Sequence, residues 1–168
     1  MQIETLRLAL TELSDADARF IRGLLNEPSF LRWIGDRGVR TVEDARRYIG
    51  AGPVTMYARY GYGLLRVGLK PDGTPIGICG VLKRDGLPDP DLGFSLLPAW
   101  WSRGYAYEAA DAVMRDARAR LGLGRIVAIT SPGNDPSIRL LGKLGFRFER
   151  MIRLAGDPDE VCLFANEP

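Results

Sequence analysis

Histidine is absent from all 168 residues, and its absence removes whole classes of chemistry. Ser-His-Asp and Cys-His nucleophilic catalysis cannot be assembled, nor can a zinc site built on imidazole. Cysteine is almost as scarce, with only Cys79 and Cys162. Each sits in an apolar, strand-like run, so both are expected as buried thiols rather than a disulfide framework, and two lone cysteines make no metal cage. No metal is expected. Any chemistry has to come from carboxylates, hydroxyls, backbone amides or a borrowed cofactor.

Charge of one sign is also lacking. Lys and Arg total 23 against 21 Asp and Glu, a formal charge of +2, and no window forms a long basic or acidic block. Electrostatics therefore names no partner and indicates no nucleic acid. Only three of the 23 cations are lysines; phosphate binding and the codon bias of a GC-rich genome are both readings of that excess of arginine. No apolar run approaches the roughly 18 residues of a membrane span, and MQIETLRLAL alternates, with too short an apolar part for a signal peptide. A soluble, cytoplasmic protein is expected, with no membrane partner. The length suits a single domain, residues 1–168, around one core.

Along the chain, IETLRLALTEL alternates as a strand, and Ser14 and Asp15 then open a helical segment, DADARFIRGLLN, that ends at Pro28. Thr41 is placed to cap a second helix, VEDARRYIG. Residues 62–69 and PIGICGVLKR read as the strands of a hairpin joined by the turn signal Lys-Pro-Asp-Gly-Thr. DLGFSLL is a further strand, ended by Pro98. From Ala106, positions 109, 110, 113, 114, 117 and 121 continue an apolar helical stripe. RIVAIT is a short buried strand, SIRLLGKL a short helix closed by Gly145, and FRFERMIRLA with VCLFANE an antiparallel pair. The order predicts an α/β (α+β) domain with a mixed central sheet of about seven strands and helices on both faces. The glycines from Gly61 to Gly68 do not form a dinucleotide-binding loop, because their spacing is wrong and no helix follows.

The stretch LLPAWWSRGYAYEAADAVMRDA, residues 96–117, starts a helix with no obvious capping side chain except Ser102. Amides at a helix start lack internal partners and favour an anion, and Gly104 would let phosphate oxygens approach the main chain. An ordinary strand–helix turn capped by Ser102 or water is the alternative.

WSRGYAYEAA resembles the R/Q-x-x-G-x-G/A loop that cradles the acetyl-CoA pyrophosphate in GNAT N-acetyltransferases, and more closely the G-x-G-Y-A-x-E-A signature of their RimJ/RimL-like branch. The D/E-hydrophobic-Gly-aromatic strand is represented by Asp91-Leu92-Gly93-Phe94, and the family's N-x-x-S and LGF elements by Asn134 to Ser137 and Leu144-Gly145-Phe146. The resemblance covers almost the whole chain. It departs at Trp101, where the family has Arg or Gln, at Ser102, where glycine is common, and at Tyr107, where threonine is.

The resemblance implies acetyl transfer from acetyl-CoA to an amine acceptor by direct attack in a ternary complex. It also implies a splayed parallel strand pair that admits pantetheine. Residues Ser102, Arg103, Gly104, Tyr105, Ala106 and Tyr107 would hold the pyrophosphate, with Leu96, Leu97 and Asn134 on pantetheine; one amide of Leu96 or Leu97 is a candidate oxyanion donor. Asp91 is the first candidate base, with a solvated strand-end charge as its alternative and Glu160 as a second choice. Leu140 and Leu141 stand where many relatives place a tyrosine acid, leaving Ser137 as the hydroxyl near sulfur or as a helix cap. Trp33, Trp100, Trp101, Tyr48, Tyr57 and Tyr60 are candidates for the acceptor pocket or for the core. A catalytically silent CoA-binding module is the competing function, and a homodimer, the commonest assembly of soluble proteins, is a possible state.

Overall fold

The computed structural model describes residues 1–168. Its eight strands form one sheet in the order β1-β2-β3-β4-β5-β6-β8-β7, one strand more than expected. The extra strand arises near the N-terminus, where the single alternating strand is in fact two, β1 (Gln2–Glu4) and β2 (Leu8–Glu12), paired antiparallel. Thr5 makes the break: its amide donates to the Leu8 carbonyl at 2.9 Å, and its hydroxyl accepts from the Leu8 amide at 2.9 Å. A threonine hydroxyl that closes a turn on itself leaves alternation intact on either side, so the pattern alone does not reveal the bend.

The helical wall on one face has three pieces in the region expected to supply two helices, and a fourth beyond it. Helix α1 (Ala18–Leu25) buries Ala18, Ile21, Leu24 and Leu25. Pro28 does mark a boundary, and it also opens α2 (Pro28–Trp33) from its first turn, where a missing amide costs nothing. Thr41 caps α3 (Val42–Ile49) as expected: its hydroxyl accepts from the Asp44 amide at 3.0 Å, and Asp44 accepts in return from the Thr41 amide. Residues 50–60, which carry no helical periodicity, continue as a π-helical turn (Gly50–Val54) and α4 (Thr55–Tyr60). Leu13, Ile21, Leu25, Ala45, Ile49 and Ile78 share the core between this wall and the sheet.

The hairpin strands β3 (Leu64–Leu69) and β4 (Pro75–Leu82) and strand β5 (Asp91–Leu96) pair antiparallel in sequence order. On the opposite face lies α5 (Tyr105–Ala119), whose stripe of Ala109, Ala110, Val113 and Ala117 is buried in the larger core. Ala109 and Ala110 are fully buried; small side chains bring the helix close to the sheet, and a leucine at either position would overpack by about 1–3 kcal/mol. Beyond it, β6 (Ile126–Thr130) lies parallel to β5, α6 (Asp135–Lys143) follows, and β7 (Arg147–Arg153) and β8 (Glu160–Asn166) close the sheet, with β8 inserted between β6 and β7.

The β5–β6 contact positions the site. Their register contains one pair, Asp91 with Val127, supported by the Val127 amide donating to the Pro90 carbonyl at 2.9 Å. Past that point β6 is held only on its far side by β8. The two parallel strands therefore splay, and a cleft opens between them.

Candidate active site

The cleft has a volume of about 2550 Å3, well above the roughly 300–1,000 Å3 of an ordinary small-molecule pocket. It runs from the start of α5 past the splay to the α2 side of the helical wall.

At one end stands the helix start. After β5 the chain makes a 3-10 turn at Pro98–Trp100, and the Trp101 indole donates to the Leu96 carbonyl at 2.9 Å. Ser102 has φ 59° and Gly104 has φ 82°. Both are left-handed, which a glycine adopts freely and a serine only at a cost. Gly104 occupies the cap position and no side chain caps the helix. The first bond that closes the helix runs from the Glu108 amide to the Gly104 carbonyl, and the amides of residues 102–107 meet no backbone acceptor. The Ser102 hydroxyl is thus not the cap. A run of unpartnered donors at the head of a fifteen-residue helix is suited to an anion by both hydrogen bonding and dipole.

The side chains around this loop do different work. Arg103 lies over the Trp100 ring at 5.2 Å, and Tyr105 meets Trp100 edge-on at 6.1 Å. Tyr107 is exposed and lines the cleft, as do Ala106 and Gly104.

The two leucines at the end of β5 differ from each other, and one departs from expectation. The Leu97 amide donates to the Ile76 carbonyl at 2.8 Å, and its carbonyl accepts from the Trp100 amide at 3.0 Å. The Leu97 amide is not available to a ligand, because the β4–β5 register carries one residue beyond the strand's end, and its carbonyl is already engaged by the turn that follows. Amides alternate in direction along an antiparallel strand, so the Leu96 amide points the other way, into the splay.

Asp91 sits at the apex of the splay. It is only 1% exposed, so it is no solvated strand-end charge. Its Oδ2 accepts from the Arg84 Nε at 2.9 Å, while its Oδ1 has no partner. Burial pushes its carboxyl up to about 6, against the opposing pull of Arg84. Nothing in the sequence pairs Arg84 with Asp91: the bond spans the loop between β4 and β5, and only the folded register brings the two together. Thr130, at the end of β6, adds a second buried oxygen without a partner on the cleft wall. Glu160 lines the cleft at the start of β8 but is exposed.

Asn134 and Ser137 reach the same cleft from the loop after β6 and the first turn of α6. The Asn134 side chain makes no cap bond at the start of α6, and Ser137 stands in the first turn of that helix, facing the same cleft. Ser131, in the same loop, donates to the Trp33 carbonyl at 2.9 Å and ties it to the end of α2. Of the aromatic candidates, Trp33, Tyr48, Tyr60, Trp100 and Trp101 line the cleft. Tyr57 does not: its hydroxyl accepts from the Leu13 amide and donates to the Leu64 carbonyl, a structural role.

The family model described as the acetyltransferase (GNAT) domain matches residues 7–147. Among curated proteins, the chain is 28% identical over 153 residues to the uncharacterized N-acetyltransferase YoaA of Bacillus subtilis, covering 90% of this chain and 85% of that protein. Among solved structures, an acetyltransferase from Agrobacterium tumefaciens superposes with a TM-score of 0.85 at 25% identity, covering 100% of this chain and 95% of that one. RimL, a ribosomal alpha-N-protein acetyltransferase in complex with coenzyme A, shares the fold with a TM-score of 0.82 at 16% identity, over 99% of this chain and 98% of that one.

Proposed function

We propose that this chain, which belongs to the GNAT acetyltransferase family and takes acetyl-CoA as its acyl donor, transfers the acetyl group to a primary amine by direct attack in a ternary complex. The carrying observation is the splay of β5 from β6 at a buried carboxylate, with an uncapped helix start beside it. The cleft fits the donor: unpartnered amides at 102–107 suit its pyrophosphate, and the gap beside β5 suits a pantetheine arm that adds strand-like hydrogen bonds. Leu96 supplies the backbone contact there in place of Leu97, and Asn134 faces the arm from the loop after β6.

Acetyl-CoA supplies an activated acyl group, so no protein nucleophile is required. The chain's tasks are to deprotonate the amine, to stabilise the oxyanion and to ease the loss of thiolate. Asp91 is the base. Its raised pKa leaves it ionised at neutral pH yet basic enough to accept a proton, directly or through one water, and Arg84 fixes the orientation of the carboxylate. The Leu96 amide is the oxyanion donor. The Ser137 hydroxyl is free to donate to the departing sulfur.

The acceptor enters from the α2 side, between Trp33, Tyr48 and the turn before β8. The cleft's volume of about 2550 Å3 suits a peptide N-terminus, the kind of acceptor that the name of the RimL neighbour gives for that protein, as well as a small amine. The test is thiol release from acetyl-CoA across a panel of peptide N-termini and small amines. Release that depends on an acceptor supports the reading. Tight CoA binding with no release for any acceptor would make the chain a silent binding module.

A further inference from the structure

The helix that starts at Gly104 carries a carboxylate in its first turn, Glu108. A carboxylate this close to a phosphate site opposes the anion. The structure neutralises it with a residue from the other end of the chain. Arg7, in the turn between β1 and β2, donates to Glu108 Oε2 through Nε at 2.6 Å and to Oε1 through its own amide at 2.8 Å. The Thr5 hydroxyl completes the set at 2.5 Å on Oε1. Burial alone would raise the Glu108 carboxyl, but these hydrogen bonds outweigh it and hold the group below its usual range.

The same guanidinium does something more. Its Nη1 donates to the Arg103 carbonyl at 3.0 Å, and its Cζ lies over the Tyr105 ring, 4.2 Å from the ring centre. In a planar trans peptide the carbonyl and the amide hydrogen point in opposite directions. By holding the Arg103 carbonyl toward β1 and β2, Arg7 turns the Gly104 amide to the opposite side, the side of the cleft. The residues on either side of Arg103, Ser102 and Gly104, are both left-handed, and successive amides turned inward by such dihedrals form an anion-binding concavity.

We propose that Arg7, fixed by Glu108 and Thr5, is a positioning residue that builds the pyrophosphate cradle: it turns the Arg103–Gly104 peptide toward the ligand and cancels the Glu108 charge, without touching the ligand itself. This rests on the reading that the pyrophosphate of acetyl-CoA docks on the amides of residues 102–107. It gives a function to a Thr-x-Arg turn that sequence analysis passes over, because the contacts span about a hundred residues.

The test is calorimetric titration of CoA and of pantetheine, which lacks the pyrophosphate, into the wild type, Arg7→Ala, Arg7→Lys and Gly104→Val, with thermal unfolding of each. Arg7→Ala is expected to weaken CoA roughly ten- to a hundredfold, the scale of losing one or two charge-assisted hydrogen bonds, and to leave pantetheine unchanged. Arg7→Lys keeps the charge but lacks the fork that reaches Glu108 and Arg103 together, so it is expected to stay several-fold weaker than wild type. CoA affinity within twofold of wild type in a folded Arg7→Ala protein, or full recovery in Arg7→Lys, overturns the proposal. Equal loss of CoA and pantetheine overturns it too, because that is the mark of general destabilisation. If Arg7→Ala does not fold, Arg7→Lys decides: weakened CoA at an unchanged melting temperature supports positioning, and unchanged CoA refutes it. Failure of the underlying reading looks different, since Gly104→Val would then bind CoA like the wild type.

Discussion

Replacing Asp91 by asparagine should make the protein more stable at neutral pH while slowing its chemistry. The carboxyl is 1% exposed and its folded pKa is raised to about 6 from a reference of 3.8. A raised folded pKa means the native state holds its proton more tightly than the unfolded chain does. Stability from this group is therefore fully present below about pH 4, falls as pH rises to about 6, and stays low above that. A shift of about two units corresponds to roughly 3 kcal/mol. Asparagine keeps the shape and carries no charge, so Asp91→Asn should recover part of that sum at pH 8. The released Arg84 guanidinium is partly exposed and can find water, and a net gain of about 1–2 kcal/mol raises the melting temperature by about 2–8 °C for a chain of this size. At pH 4 the two proteins should melt together. The single-turnover rate of thiol release should fall by roughly a hundredfold or more at pH 8, and the acidic limb of the wild-type pH profile near 6 should vanish. A variant that melts lower than wild type at pH 8 would refute the burial argument. A variant with wild-type rate and an intact limb would remove Asp91 from the mechanism.

Arg84→Ala removes the only cation bonded to that carboxylate, so the acidic limb should move upward from about 6; a limb that stays in place or moves down would contradict the pairing. Gly104→Val places a β-branched residue at φ 82°, with its Cβ 3.3 Å from Arg7 Nη2, and should weaken CoA at least tenfold by calorimetry. Ser137→Ala should slow single-turnover transfer roughly ten- to a hundredfold with CoA affinity unchanged. The melting temperature should not move; a drop of about 1 kcal/mol in stability at wild-type rate would mean the side chain is a helix cap instead.

Much of the fold is readable from periodicity, because α5 and the β3–β4 hairpin each bury one continuous face against one partner. The stripe at Ala109, Ala110, Val113 and Ala117 and the turn Lys70 to Thr74 are local signals, and both appear where expected. The divided first strand is not readable, since Thr5 bends the chain without interrupting alternation. Nor is the helical segment at residues 50–60, which follows α3 without a new cap and contains Pro53. The candidate site residues divide along the same line. Gly104 is legible because a backbone site needs a glycine where the main chain turns left-handed. The burial of Asp91, its bond to Arg84 and the loss of Leu97 as a donor depend on strand register and on how far β6 diverges, and no local pattern encodes either.

The departures of the loop from the family motif become intelligible on the same grounds. Trp101, in place of Arg or Gln, directs its indole to the Leu96 carbonyl, so it anchors the turn to the strand beside the splay and adds no charge to the cradle. Ser102, in place of glycine, holds φ 59°, a conformation that costs a non-glycine residue about 1–2 kcal/mol and persists only where its surroundings enforce it. The enforcement comes from both sides: Trp101 fixes one side of Ser102, and Arg7 fixes the Arg103 carbonyl on the other. Trp101 and Arg7 thus hold the loop from both sides, and on the proposed reading, in which the amides of residues 102–107 cradle the pyrophosphate, it is the backbone shape that the anion reads.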